Sequence, residues 1–582
     1  MAKKRWLPLV LTMIFLLSIF LTSCSKPNTS SQQTPEQNAS KPTPVASVSD
    51  GDSWIKGTDP TKIPAESKKR MDTIVIGIGE PKGVFNPLFS ETAYDNYVNN
   101  TIFDGLIDVA LDGSYIPSLA KSWDIDKDNK AITFHLRDDV KFSDGTPLTA
   151  KDVEFSYYVL ADPQYDGPSD LSSAKIKGFD AYFSGNADKI EGIKVLDDHT
   201  IKIELDELLA TTLGNLGTSV IPQHYYGKDF SKGKLDGVKA LHQQPLGTGR
   251  YTLEKYVPGQ EVRLKANPNY WNGVSKVQTV IFKPTTDETA LQLLQTGTTD
   301  YEADNISAKK DNVDMLQSLG FVDVSLLPNN GYGYIAFNHK LPQFKDVRVR
   351  QALAYGLNRK AIVDAVYQGA AEVLNVPQSK VSWSFPDKSE INPYDFNPDK
   401  AKQLLDEAGW KLGSDGYRYK DGKKFVIHFA ATSPNPVNDA IIPYATENYK
   451  DLGIEFIPEQ LEFNAVIDKI NKGDFEMYFL AWGLTPEPDP TNLFSTKGSQ
   501  NKIGYSNPKA DELMKQGRME FDQAKRAQIY KELYKLLNED LPYIFMYQRQ
   551  NMNSKNCRIV GFQISPYRDF TNSLNQVEIL EY

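Results

Sequence analysis

An α/β fold in more than one lobe is what this sequence predicts, on three observations. The chain has 582 residues, more than one ordinary core organises when domains run to roughly 100–200 residues. Beyond about residue 330, helical and strand patterns alternate, the order expected of α/β units. Within Ile132–Tyr158, strand, turn and capped helix follow one another without contradiction.

That stretch carries the clearest local signals. Ile132, Phe134 and Leu136 alternate with Thr133, His135 and Arg137 at the two-residue period of a half-buried strand, and Val140 and Phe142 resume it. Ser143, Asp144 and Gly145 supply a turn. Thr149 with Asp152 has the spacing of an N-cap and an acid in the first helical turn, where exposed N–H groups favour negative charge. Val153, Tyr157 and Leu160 share one helical face.

At the amino terminus, Lys3, Lys4 and Arg5 precede the apolar run Trp6–Phe20, the pattern of an export signal or of a single membrane anchor. Leu21–Cys24 resembles a bacterial lipobox. The resemblance implies a signal peptide over 1–23, cleavage before Cys24 and lipidation of its thiol. Residues 24–70 are rich in Ser, Thr, Pro, Gln, Asn and Lys, and read as a flexible tether behind the acylated cysteine. Two or more acyl chains give the stable anchoring that one does not.

Next along the chain, Thr73–Gly79 is a short buried-strand pattern. Its glycines do not make a dinucleotide fingerprint: the spacing is wrong, and Val84–Pro87 stands where a phosphate-cradling helix should start. Asp124, Asp126 and Asp128 imitate a calcium loop, but Asn129 occupies the glycine position and His135 that of the bidentate Glu, so a solvated turn is expected. Residues 193–205 read as a hairpin turning at Asp197 and Asp198. Gly247 and Gly249 suit a tight turn. No Lys-Ser or Lys-Thr follows them, so a phosphate loop is not indicated.

Tyr332–Asn338 reads as a strand, and Asp346 as the cap of the helix after it. Asn397 and Pro398 start a helix that Gly409 ends in the left-handed conformation. Helix 439–451 precedes strand 453–457, and helix 463–472 precedes strand 475–481. A helix from near Asp522 places Ala527, Tyr530, Tyr534 and Leu537 on one face; Pro542 stops it, and Tyr543–Tyr547 is again a strand.

Composition narrows function. Sixty-five Lys and Arg against 75 Asp and Glu give a net charge of -10, which argues against a nucleic-acid or anionic-membrane surface. Only two cysteines are present, Cys24 and Cys557, so after processing no disulfide of the folded body is expected. The six histidines form no ligand pair at helical spacing, and neither a Gly-x-Ser-x-Gly nor a Walker-type loop occurs. The chain therefore reads as no enzyme, with no cofactor and no metal. Phe479–Pro490 is the best binding candidate. A strand ending in an exposed Trp482 stacks on a peptide plane or a sugar face, and Gly483 lets a ligand backbone approach; the alternative is a core Trp.

Ala120–Trp123 and the run Leu119–Ser156, with Leu246–Tyr251 and Asn267–Trp271, resemble the family 5 extracellular solute-binding proteins, receptors of oligopeptide, dipeptide and related ABC importers. The resemblance implies a two-lobed periplasmic-binding-protein-like fold with an extra inserted subdomain and two hinge crossings, near 328 and 544. The large lobe would comprise 71–105, 223–328 and 545–582, the inserted subdomain 106–222, and the second lobe 329–544. It implies an oligopeptide receptor, monomeric and lipid-anchored on the outer face of the cell membrane, that delivers ligand to a permease and its ATPase. Oligosaccharide and nickel chelate are the alternative ligands, and a lipid-anchored surface hydrolase is the alternative class. Glu91, Thr92 and Ala93 would line the cleft from the large lobe, and Trp482, Gly483, Leu484 and Asp489 from the second. Where peptide receptors of the family carry an Asp three residues after the Trp to hold the ligand's amino terminus, this chain has Thr485, with Asp489 as a substitute.

Overall fold

One strand, Tyr543–Asn556, belongs to both halves of the protein. In the computed structural model, which describes residues 54–582, its first part pairs antiparallel with Gly331–Phe337, from Ala336 opposite Tyr543 to Gly333 opposite Tyr547. Its second part pairs with Val322–Pro328, from Pro328 opposite Gln550 to Val322 opposite Asn556. Two neighbouring backbones, at 329–330 and 548–549, therefore carry the chain between the halves. The expected strand 543–547 is longer because a second partner extends the ladder. The expected signal peptide over 1–23 and the expected lipidation of Cys24 lie outside the described residues.

On one side of this strand the sheet continues through Tyr301–Ala303, Thr73–Ile78, Thr279–Pro284, Glu261–Ala266 and Tyr251–Val257. On the other it continues through Gly331–Phe337, Met477–Gly483, Val426–Thr432 and Glu455–Leu461. The strand Gly331–Phe337 is buried throughout, and its residues alternate between two cores as the strand period requires. Ile335 and Phe337 pack with Phe429, Phe479 and Ile544, whereas Tyr332, Tyr334 and Ala336 pack with Tyr478, Tyr543 and Phe545. The helices expected after residue 340 cover these faces: Asp346 caps Val347–Tyr355, Asn397 caps Pro398–Glu407, and Gly409 is left-handed at φ +88°.

The region 106–222 has its own four-stranded antiparallel sheet, Ala120–Asp126, Ala131–Leu136, Thr200–Glu204 and Ile193–Asp197. Thr149 precedes the helix Ala150–Leu160 and donates its backbone N–H to Asp152 at 2.8 Å. The other Asp152 oxygen accepts from Gln223 N at 2.8 Å, so the cap also ties this region to the chain that leaves it. Asp126 accepts from Asn129 N at 2.9 Å in a plain turn. The core here is continuous with that of the large lobe: Phe134, Val153 and Ile203 belong to one buried cluster with Ile74, Ile76 and Phe282.

The expected tether is too long. Trp54 and Ile55 pair with Ser325 and Val324, Gly57 N donates to Asp323 at 2.8 Å, and Arg70 meets the buried Asp300 at 2.9 Å. Trp54, Ile63 and Ser67 are buried. Residues 54–70 are thus part of the first lobe, because a few isolated apolar side chains and two ion pairs, Lys56 with Asp323 and Arg70 with Asp300, find partners over 200 positions away. Among the described residues no helix is long and apolar enough to cross a membrane.

Candidate functional site

The two crossings open onto a cavity of about 260 Å³ between the lobes. The shared strand supplies Asn551 and Asn553, which alternate with the buried Met552 and Ser554 and so face outward together. Asn329 and Asn330 stand at the other crossing, and Leu484 closes the second-lobe side. The first lobe adds Tyr97, Asp304, Arg568 and Asp569.

These polar groups are held before any ligand arrives. Asn329 donates its side-chain amide to Asn551 Oδ1 at 3.2 Å, and its carbonyl accepts from Gln548 at 2.7 Å. Asn330 clamps the loop after the strand Met477–Gly483: its carbonyl accepts from Leu484 N at 2.8 Å, and its amide donates to the Leu484 carbonyl at 2.9 Å. Asp304, itself left-handed at φ 57°, pairs with Arg549 of the shared strand at 3.2 Å. Burial raises the Asp304 carboxyl above its usual range, and Arg549 partly offsets this.

A second cavity, about 400 Å³, lies between region 106–222 and the second lobe, with Tyr115, Lys175 and Asn215 on one wall and Thr485, Asp489 and Arg518 on the other. Glu487, also in its lining, accepts from both terminal guanidinium nitrogens of Arg526, at 2.5 and 3.2 Å. The lobes touch around these spaces. Tyr567 donates its hydroxyl to the Val381 carbonyl at 2.9 Å, and Ala210 N donates to the Arg518 carbonyl at 2.8 Å.

The expected site residues are not brought together. Glu91 is exposed, and Thr92 caps the helix Ala93–Ile102 by accepting from Asp95 N at 3.0 Å. The residue of this helix that reaches the cavity is Tyr97, one turn beyond Ala93. Trp482 is half-buried; its ring lies parallel to Tyr334, with centroids 6.1 Å apart, so one face of the expected stacking platform is already covered from the core. No atom lies within 4 Å of a Cβ placed on Gly483, leaving its backbone open to close approach. Leu484 lines the first cavity and Asp489 the second. Asp489 accepts from Thr491 N at 3.1 Å and lies 3.6 Å from Arg518. Its charge is therefore already engaged, which removes it as a free substitute for the Asp missing at Thr485. Sequence reading missed the asparagines and Asp569; the run 548–555, polar yet strand-forming between two apolar stretches, was the available signal.

A sequence profile of the bacterial extracellular solute-binding proteins, family 5 Middle, matches residues 114–504. The chain is 28% identical to the oligopeptide-binding protein AppA of Bacillus subtilis over 587 aligned positions, covering 98% of both chains. It is 29% identical to heme-binding protein A of Haemophilus influenzae, covering 90% of this chain and 95% of that one. The solved structure of Bacillus subtilis AppA in complex with a nonapeptide superposes with a TM-score of 0.71 at 28% identity, over 88% of this chain and 99% of the other.

Proposed function

Because the chain belongs to the bacterial extracellular solute-binding proteins, family 5, we propose that it captures oligopeptides outside the cell and passes them, chemically unchanged, to an ABC permease and its ATPase. One observation carries the choice of ligand: four asparagines, 329, 330, 551 and 553, converge on the cavity at the lobe crossings. With Asn551 Oδ1, Asn553 Oδ1 and the Asn330 amide already engaged, the amides of Asn551 and Asn553 supply donors and the side-chain oxygens of Asn329 and Asn330 supply acceptors, together the complement of a peptide bond in an extended chain. The names of the AppA relatives support the same choice.

Binding proceeds by differential stabilisation of a closed arrangement. A ligand between the lobes replaces water on the asparagines, and contacts such as Tyr567 to Val381 form only when the lobes meet. The two adjacent crossings act as the hinge. The lobes are assigned as 54–105, 223–328 and 545–582 for the first, 106–222 as its insertion, and 329–544 for the second. Signal cleavage, lipidation of Cys24, membrane anchoring on the extracellular face, monomeric state and absence of catalysis complete the proposal. Leu21–Cys24, the lipobox-like motif, supports the anchor.

Native mass spectrometry of the full-length chain, incubated in parallel with a peptide pool and a glycan pool, tests this reading. The expected result is retention of peptides at one per chain, with unchanged mass. Retention of glycans alone, or release of cleaved peptides, overturns it.

A further inference from the structure

We propose that the first lobe holds a primary ammonium group of the ligand, an α-amino terminus or a lysine side chain, between the carboxylates of Asp569 and Asp304 and the ring of Tyr97. This rests on the oligopeptide reading and names which part of the peptide the first lobe reads.

Carboxylates outnumber guanidinium groups in this part of the first lobe. Around the cavity and the polar recess behind Arg568, four carboxylates, Asp104, Asp108, Asp304 and Asp569, accompany three guanidinium groups, Arg250, Arg549 and Arg568. Arg549 is taken by Asp304 at 3.2 Å, Arg568 by Asp108 at 3.1 Å, and Arg250 gives Nη1 to the Asn100 carbonyl at 2.8 Å. Asp104 accepts from Thr248 at 3.0 Å and from Trp271 at 3.2 Å. Asp104 and Asp569 are thus left without an ion pair among the described residues and share the field of Arg250; of the two, only Asp569 lines the cavity at the crossings. Its Oδ1 caps the turn Phe570–Gln576 by accepting from Thr571 N at 2.8 Å. Its Oδ2 has only the Asn100 amide at 3.5 Å, the outer limit of a hydrogen bond.

The surroundings suit an ammonium group. Tyr97 lines the same cavity as both carboxylates and packs against Phe570 with ring centroids 5.0 Å apart, which fixes its ring next to Asp569. Burial, together with the charges of Asp569 and Asp304, pushes the Tyr97 phenol well up, a sign of negative potential at the ring. Burial likewise raises the Asp569 carboxyl, so an arriving cation relieves an energetic cost that the unliganded lobe bears. An ammonium beside a π face and a desolvated carboxylate gains from both. The second lobe offers no rival, since Glu487 and Asp489 face Arg526 and Arg518.

Three synthetic pentapeptides separate the sources: pentaalanine, its N-acetyl form, and an N-acetylated peptide of four alanines followed by one lysine. Titration calorimetry on the full-length chain is expected to show free pentaalanine binding about 10- to 100-fold more tightly than the acetylated form, the range of a charge-assisted contact. Recovery with the acetylated lysine peptide assigns the ammonium to a side chain; no recovery assigns it to the terminus. Asp569→Asn keeps the turn cap, because Asn caps as well as Asp, and is expected to bring free pentaalanine down to the acetylated level while leaving acetyl-pentaalanine unchanged. Equal loss for both peptides, or none for either, overturns the proposal. A second probe is independent of the peptide reading: saturation-transfer NMR with n-butylammonium is expected to give a signal with the parent chain that Asp569→Asn abolishes. If no pentapeptide binds, the peptide reading fails, yet loss of the butylammonium signal in Asp569→Asn still upholds the subsite. A signal that persists in that variant, or is absent from the parent, overturns it.

Discussion

The hydroxyl of Tyr567, in the C-terminal segment of the first lobe, reaches the carbonyl of Val381 in the second at 2.9 Å. Gly113 lies beneath the same ring: a Cβ placed there comes within 3.1 Å of it. The ring is thus fixed on its own lobe while its hydroxyl closes the gap to the other.

Tyr567→Phe removes this latch and leaves the ring in place. Ligand affinity is expected to fall about 3- to 10-fold, the range given by a hydrogen bond worth roughly 0.5–1.5 kcal/mol net. The melting temperature of the ligand-free chain should not move. Titration calorimetry and thermal unfolding together check this; a drop in melting temperature with unchanged affinity would make the bond a fold contact.

Glu302 gives the stability a pH dependence of known sign. Its side chain is buried, bonded by Thr285 at 2.9 Å and Thr299 at 2.7 Å, and burial lifts its carboxyl from 4.5 to about 7. The folded state therefore holds a proton that the unfolded chain gives up. This contribution is fully present below about pH 4.5 and is lost as pH rises through 7. Glu302→Gln stays neutral and should flatten the profile, gaining on the order of 2–3 kcal/mol over the parent at pH 8. Denaturant unfolding at pH 5, 6, 7 and 8 measures it. The same carboxylate sits where a Cβ on the neighbouring Gly77 would be, so any side chain there would displace the Glu302 carboxylate from its hydrogen bonds.

Trp482 is expected to act first on the second lobe's aromatic core. Its parallel contact with Tyr334 continues the stack of Tyr334 on Tyr543, whose centroids are 4.2 Å apart. Trp482→Ala should lower stability by about 1–3 kcal/mol, below the roughly 3–5 kcal/mol of a fully buried ring because this one is only half-buried. Trp482→Phe should recover most of it. Unfolding curves decide; an unchanged melting temperature with lost ligand affinity would return the ring to the cleft.

Local signals in the sequence were legible where both partners lie a few residues apart. Thr149 with Asp152, Asn397 with its helix and Gly409 at φ +88° are set by neighbours, so their patterns read directly. Residues 54–70 did not, because Arg70 acquires its meaning from Asp300 and Trp54 from Ser325, neither of which is near in the chain. The site shows the same division. Glu91–Ala93 stand at the start of the helix whose Tyr97 lines the cavity; which of its side chains faces the cavity is set by helical phase. Asn551 and Asn553 alternate as a surface strand would, and only the position of the shared strand between two lobes turns that pattern into a cleft floor. Asp569 carries no local mark: its lack of an ion pair depends on Arg549 and Arg568 being taken by Asp304 and Asp108.

Peptide capture between the lobes is tested most directly by photo-crosslinking. A pentapeptide carrying benzoylphenylalanine at its third position is incubated with the full-length chain, irradiated, and its adducts are mapped by tandem mass spectrometry. The expected adducts fall on Tyr97, Leu484 and residues 551–553, and excess unlabelled peptide competes them away. Adducts confined to the outer faces of the lobes, or unaffected by competitor, would contradict capture in this cleft.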